Sequence, residues 1–254
     1  MANQKRNTIL FFLLTLGLVL LFFVNISFGS ITIPFKDIYT SLTGGQASKS
    51  TWEYIIINYR LPKAITAILV GMGLSISGLL MQTLFRNPLA GPYVLGLSSG
   101  ASLGVAFVLL GASLLPPFLS TLLLSSYGVV LASTIGSSVV LLAVLMVSQK
   151  LRDTMAILIV GLMFGSFTSA IVSVLSYFTS AEKLQKFTFW SMGSISNLSW
   201  NEISLLSVFV IIGIGISFMV IKPLNALLLG EKYAQSIGKK KKKTRFLIII
   251  ATSI

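Results

Sequence analysis

The 254-residue chain contains no cysteine and no histidine, and its acidic residues number only 6. Without cysteine there is no disulfide framework and no thiol nucleophile. Without either residue, a zinc-ligand set and the Ser-His-Asp and Cys-His arrangements are excluded as well. Charge of any sign is scarce, at 10% of residues, against roughly 25% in an average soluble domain. No G-x-x-x-x-G-K-[ST] phosphate loop occurs anywhere, and no soluble stretch is long enough to house one. What remains is 55% hydrophobic residues and 19 Lys+Arg, for a net charge of +13. On a soluble protein that surplus would indicate nucleic acid. Here the cations stand outside long stretches that carry no charge, which places them in the connections of a membrane protein.

Charge-free runs cover residues 7–35, 64–85, 87–149, 154–181 and 203–221. One crossing takes about 20 apolar residues, so the 87–149 run holds two, divided around Gly111 and the Pro116-Pro117 pair. The spans are expected near 8–28, 61–83, 93–110, 119–147, 154–178 and 203–221. A seventh begins after Arg245, and residues 246–254 extend roughly 13 Å at 1.5 Å per residue, short of a core of about 30 Å. The fold class is therefore all-α: a polytopic membrane protein with six complete transmembrane helices and the start of a seventh, in one domain over 1–254. Lys5 and Arg6 ahead of the first apolar stretch resemble a signal peptide, but the stretch is long for one and five more spans follow.

Lys and Arg set the orientation. With the N-terminus inside, Lys5, Arg6, Arg86, Lys150, Arg152, Lys222, Lys232, Lys239–Lys243 and Arg245 are cytoplasmic, and Lys36, Lys49, Arg60, Lys63, Lys183 and Lys186 lie outside. Trp52, Trp190 and Trp200 then all fall in outer connections, where an interfacial ring is favoured. No ionisable residue occupies the middle of a span, which argues against proton coupling. Sodium coupling through carbonyls and hydroxyls stays open. Small residues fill the spans instead: Gly71, Gly73 and Gly78 in the second, Gly96, Gly100 and Gly104 in the third, and Gly161 and Gly165 in the fifth. Spacings of four allow close helix contact, and small side chains equally line a passage for a bulky solute. The pattern alone leaves both readings open.

Three connections stand out. Residues 84–92, LFRNPLAGP, concentrate turn chemistry between the second and third helices. Residues 222–238, KPLNALLLGEKYAQSIG, read as a cytoplasmic segment in which Pro223 ends the sixth span and Gly230 separates two short helices. Such a segment suits docking on another protein, or lies amphipathically on the lipid. The adjacent Lys239–Lys243 run faces anionic headgroups, at about 1 kcal/mol per cation. Finally, Arg60 and Lys63 flank Pro62 at the outer start of the second helix, where the helix dipole disfavours cations. An acidic partner would explain them, as would interfacial snorkelling.

The stretch RLPKAITAILVGMGLSISGLLMQTLFRNPLAGPYVLGLSSGASLG (60–104), with LRDTMAILIVGLMFG (151–165), FWSMGSISNLSW (189–200) and KPLNALLLGEKYAQSIG (222–238), resembles the FecCD family of ABC-importer permeases, which carry ferric siderophores, haem or cobalamin into bacteria. The resemblance implies a permease subunit in the bacterial inner membrane that works by alternating access and is not itself an enzyme. It implies no cofactor on this chain, ATP being used by a separate ATP-binding subunit dimer. The other implied partners are an extracytoplasmic substrate-binding protein and a second permease subunit; nucleic acid is not among them. By the same resemblance, Arg60 and Lys63 match positions that dock the binding protein. Asn87, Leu89 and Thr154 match a cytoplasmic gate. Leu229, Gly230, Glu231, Ala234 and Gly238 match the coupling helices that sit in the ATPase, and the substrate cavity forms between two permease subunits. A full-length member has ten spans, so about four are expected to be missing at the C-terminal end. The competing readings are a sodium-coupled secondary transporter and a non-transporting membrane scaffold.

Overall fold

A computed structural model of the chain describes residues 2–111, 116, 123–150, 154–196, 198–229, 236 and 241–254. Among the described residues all regular structure is helical. We label the helices α1 (Ala2–Ser27), α2 (Phe35–Leu42), α3 (Ser50–Ile55), α4 (Leu61–Phe85), α5 (Leu97–Leu109), α6 (Ser126–Lys150), α7 (Thr154–Tyr177), α8 (Ala181–Met192), α9 (Trp200–Leu228) and α10 (Lys241–Ser253). A π-helical turn, Ile56–Arg60, joins α3 to α4, and a 3₁₀ turn, Pro92–Leu95, precedes α5.

Among the described residues five helical stretches are long and apolar enough to cross a membrane: Lys5–Ser27, Ser50–Phe85, Tyr127–Val147, Met155–Tyr177 and Trp200–Leu228. The third expected span, 93–110, is the exception. Its regular helix α5 has 13 residues, roughly 20 Å at 1.5 Å per residue, which is short of a core of about 30 Å. The shortening has a local cause: Pro92 opens a 3₁₀ turn, and Gly96 takes a left-handed φ of 75° that separates the turn from α5. A second difference concerns the sixth span. Pro223 does not end it; α9 runs through the proline to Leu228. Burial of Leu224 and Ala226 and the packing of Leu227 against the core offset the hydrogen bond that a proline removes from a helix.

Packing divides the chain into two compact units, residues 1–71 with 194–208, and 72–193 with 209–254. The first unit has a core of Ile26, Ile33, Ile38, Ile56 and Ala64, flanked by Phe22, Trp52 and Leu61. Asp37 at the start of α2 accepts a 2.7 Å hydrogen bond from the Ser48 amide. The Ser48 side chain and then its amide hold the carboxyl below the ordinary carboxylate value. Glu202 and Ser199 close the N-terminus of α9 reciprocally. The Ser199 amide donates to Glu202 Oε2 at 2.7 Å and the Glu202 amide donates to Ser199 Oγ at 3.4 Å, the pattern of a capping box.

The second unit has one cluster built on Leu80, Met81, Phe85, Val94, Leu95, Val144, Ile157, Val220, Leu224, Ile248 and Ile249. Another gathers Val105, Ala106, Leu109 and Leu110 of the α5 end with Phe187 of α8. Its glycines sort the two readings of the small-residue pattern. A Cβ on Gly100 would lie 2.6 Å from the Gly136 carbonyl oxygen, and those on Gly136 and Gly104 would run into the backbone carbonyls of Gly100 and Ala132. At these positions glycine is there so that α5 and α6 can touch backbone to backbone. Gly161 on α7 meets the Val94 carbonyl in the same way, whereas a Cβ on Gly78 of α4 would find open space.

Candidate functional site

In the first unit, the expected outer docking pair is treated unequally. Arg60 is the last residue of the π-helical turn and is 8% exposed. One guanidinium nitrogen donates to the carbonyls of Ile26 at 2.7 Å and Ser27 at 2.8 Å, and the other donates to the carbonyl of Ile31. The last carbonyls of a helix lack intrahelical partners, and α1 ends at Ser27. Arg60 satisfies two of them with a charge that also suits the negative end of the helix dipole. Gly29 makes the fit possible, since a Cβ there would approach the Arg60 Nη2 to 2.8 Å. At the sequence level the Arg60 cation lacked a favourable helix dipole; the fold supplies one from α1. Lys63 is half-buried in the first turn of α4. Nearby, Lys49 stands 4.8 Å from the centre of the Trp52 ring, a cation–π distance.

In the second unit, residues 85–96 fold into a tightly determined turn. The Arg86 amide donates to the Thr83 carbonyl at 3.4 Å and the Asn87 amide to the Gln82 carbonyl at 3.1 Å, the paired bonds of a Schellman motif. The left-handed position of that motif normally takes glycine, yet Arg86 occupies it at φ 49°, at a cost of about 1–2 kcal/mol. Asn87 then closes an Asx turn: its Oδ1 accepts from the Leu89 amide at 2.9 Å, and its carbonyl accepts from the Ala90 amide at 3.1 Å. The Tyr93 hydroxyl donates to the Leu89 carbonyl at 3.0 Å. Leu89 itself projects outward, 79% exposed. A leucine this exposed on a turn held by five side-chain and backbone bonds is presented, not packed.

The guanidinium of Arg86 donates to the carbonyl of Leu227, in the last turn of α9. Arg86 thus ends α4 through its backbone and caps α9 through its side chain. The sequence placed it as one more cytoplasmic cation and did not single it out. A donor 141 residues from its acceptor leaves no periodic signal, and arginine in place of glycine hides the turn's left-handed residue.

Of the remaining expected positions, Thr154 is the first residue of α7, and its side chain falls outside the described residues. Leu229 directly follows α9 and is exposed. Gly230, Glu231, Ala234 and Gly238 lie outside the described residues. Among the described residues no cluster of three or more Asp or Glu is placed to hold a metal ion.

A model of the FecCD transport family matches residues 17–254. The chain is 31% identical over 244 residues to the hemin transport system permease protein HmuU of Yersinia pestis, covering 96% of this chain and 70% of that protein. It is 29% identical to the vitamin B12 import system permease protein BtuC of Klebsiella pneumoniae, with 98% of this chain and 70% of that protein covered. With BtuC of Salmonella typhi it shares 33% identity over 79% of this chain and 59% of that protein. The chain therefore spans between 59% and 70% of these relatives' length. A solved inward-facing structure, of a protein named as a metal-chelate type ABC transporter, superposes with a TM-score of 0.76 at 27% identity, over 95% of this chain and 70% of that one.

Proposed function

Because the chain belongs to the FecCD transport family, a family of multi-pass membrane permeases, we propose that it forms part of the translocation path of a binding-protein-dependent importer. Its cargo would be a metal chelate, haem or a cobalamin. The observation that carries this reading is the 85–96 turn, which presents Leu89 on a rigid Asn87 support and is bonded to the end of α9. A rigid, outward apolar side chain on such a turn suits a constriction that closes against a like element of a second permease subunit. Thr154 at the head of α7 would contribute to the same gate.

The energy comes from outside this chain, through an ATP-binding subunit dimer that receives the segment from Leu229 through Gly230, Glu231 and Ala234 to Gly238. An extracytoplasmic binding protein delivers the cargo. Lys63 supplies the cation for its acidic surface, and Arg60 holds the end of α1 that frames that surface. The N-terminus is cytoplasmic in this arrangement, and the membrane is the bacterial inner membrane.

The test is reconstitution of the full-length protein in proteoliposomes with its ATPase and binding protein, using haemin, cyanocobalamin and ferric siderophores as probes. Uptake of one of these that requires Mg-ATP inside supports the reading. Uptake without the ATPase, following a sodium gradient, would replace it with secondary transport. If the ATPase binds but neither uptake nor stimulated hydrolysis is seen with any probe, the chain is a scaffold.

A further inference from the structure

We propose that Arg86 is a positioning residue that ties the end of α9 to the Asn87–Leu89 turn, so that displacement of the segment following α9 is carried directly to Leu89. This inference rests on the permease reading and names the residue through which that site would be worked. Two observations converge on it. The Arg86 side chain bonds to the Leu227 carbonyl, two residues before Leu229, where the segment assigned to the ATPase begins. Its backbone occupies the left-handed position on which the Asn87 turn is built. A glycine would hold that position with less strain, so the guanidinium serves something the turn itself does not require.

The rest of the turn is arranged to move as one piece. Leu89 is bonded through its amide to Asn87 Oδ1 and through its carbonyl to the Tyr93 hydroxyl. A pull on Arg86 therefore displaces Leu89 with its neighbours and is not absorbed by a loose loop. The contact at Leu227 is to a backbone carbonyl at a helix end, so it follows the helix and not a side-chain rotamer. Coupling of this kind needs a connected element with two arrangements, and α9 with the 85–96 turn supplies the connection.

None of the 254 residues is cysteine, so a thiol introduced here reports on its own position once any cysteine elsewhere in the assembled complex has been replaced. Leu89→Cys is introduced in the full-length protein assembled with its ATPase, and its rate of modification by a membrane-impermeant maleimide is measured without nucleotide and after trapping with Mg-ATP and vanadate. With Arg86 intact the two rates should differ by at least about fivefold, the lower end of ordinary coupling between sites. In Arg86→Gly, which suits the left-handed turn but has no side chain, the ratio should fall to about one, while Arg86→Lys keeps part of it. Arg86→Asn, which also tolerates the turn, repeats the measurement should the glycine variant fold poorly. A ratio that survives in Arg86→Gly and Arg86→Asn overturns the proposal, even with a lowered Tm, because a purely structural cap would change Tm alone. If the rates are equal with Arg86 intact while ATP is hydrolysed, the gate assignment of Leu89 fails, and the proposal fails with it.

Discussion

Replacing Arg60 with methionine isolates what its guanidinium does, because methionine keeps much of the apolar stem and removes every donor. Two carbonyls then lose their partner, that of Ile26, in a buried bond, and that of Ile31, in a part-buried one, while the Ser27 carbonyl keeps the Ile33 amide at 3.2 Å. An orphaned carbonyl costs about 1–3 kcal/mol according to burial. With about 2 for Ile26 and about 1 for Ile31, the local penalty is about 3 kcal/mol. At about 1.4 kcal/mol per decade, that raises the opening constant of the α1 end by roughly a hundredfold. Hydrogen exchange of amides around residues 26–38 in detergent-purified protein reads it directly, and Tm should fall. Arg60→Lys retains the charge but replaces the planar fork with a point donor, so it should recover only part of the loss. Exchange and Tm unchanged in Arg60→Met would refute the assignment. A salt-dependent loss of binding-protein affinity with unchanged Tm would show that Arg60 is a docking cation.

Gly136→Ala drives a methyl into the Gly100 carbonyl and should cost about 1–3 kcal/mol, seen as a lower Tm, whereas Gly78→Ala points into open space and should stay within about 1 kcal/mol of the parent. Asp37 has its carboxyl pKa lowered by Ser48, so the contact contributes stability above the unfolded value of about 4 and loses it as pH falls through the lower folded value. Asp37→Asn should therefore flatten the acid limb of a Tm-against-pH series, and an unchanged limb would discount the contact. Ser199→Ala removes the hydroxyl half of the α9 capping box and should cost about 1 kcal/mol, measured as a drop in thermal stability that Ser199→Thr largely avoids.

The span pattern was readable because a charge costs several kcal/mol in hydrocarbon. The spans expected from the runs without Asp, Glu, Lys or Arg therefore each fall on one of the helices at 2–27, 61–85, 126–150, 154–177 and 200–228, with ends that differ by up to seven residues. Boundaries decided by packing were harder to read. Pro223 is a stop signal in sequence, but burial of Leu224 and Ala226 carries α9 past it. The 93–110 stretch is apolar enough for a crossing, but Pro92 and the left-handed Gly96 use its first residues as a turn. Gly100, Gly104 and Gly161 looked alike as packing or lining residues until their facing carbonyls were known.

By itself the sequence determined that this is a helical membrane protein, and through the 60–104, 151–165, 189–200 and 222–238 motifs it pointed to the family. Hydropathy and turn chemistry are local properties, written residue by residue. What Arg60 and Arg86 do was decided only by tertiary structure. Each guanidinium satisfies backbone carbonyls far along the chain, 29 to 34 residues away for Arg60 and 141 for Arg86. A helix end accepts a donor from any segment that reaches it, so neither composition nor spacing carries the identity of that partner.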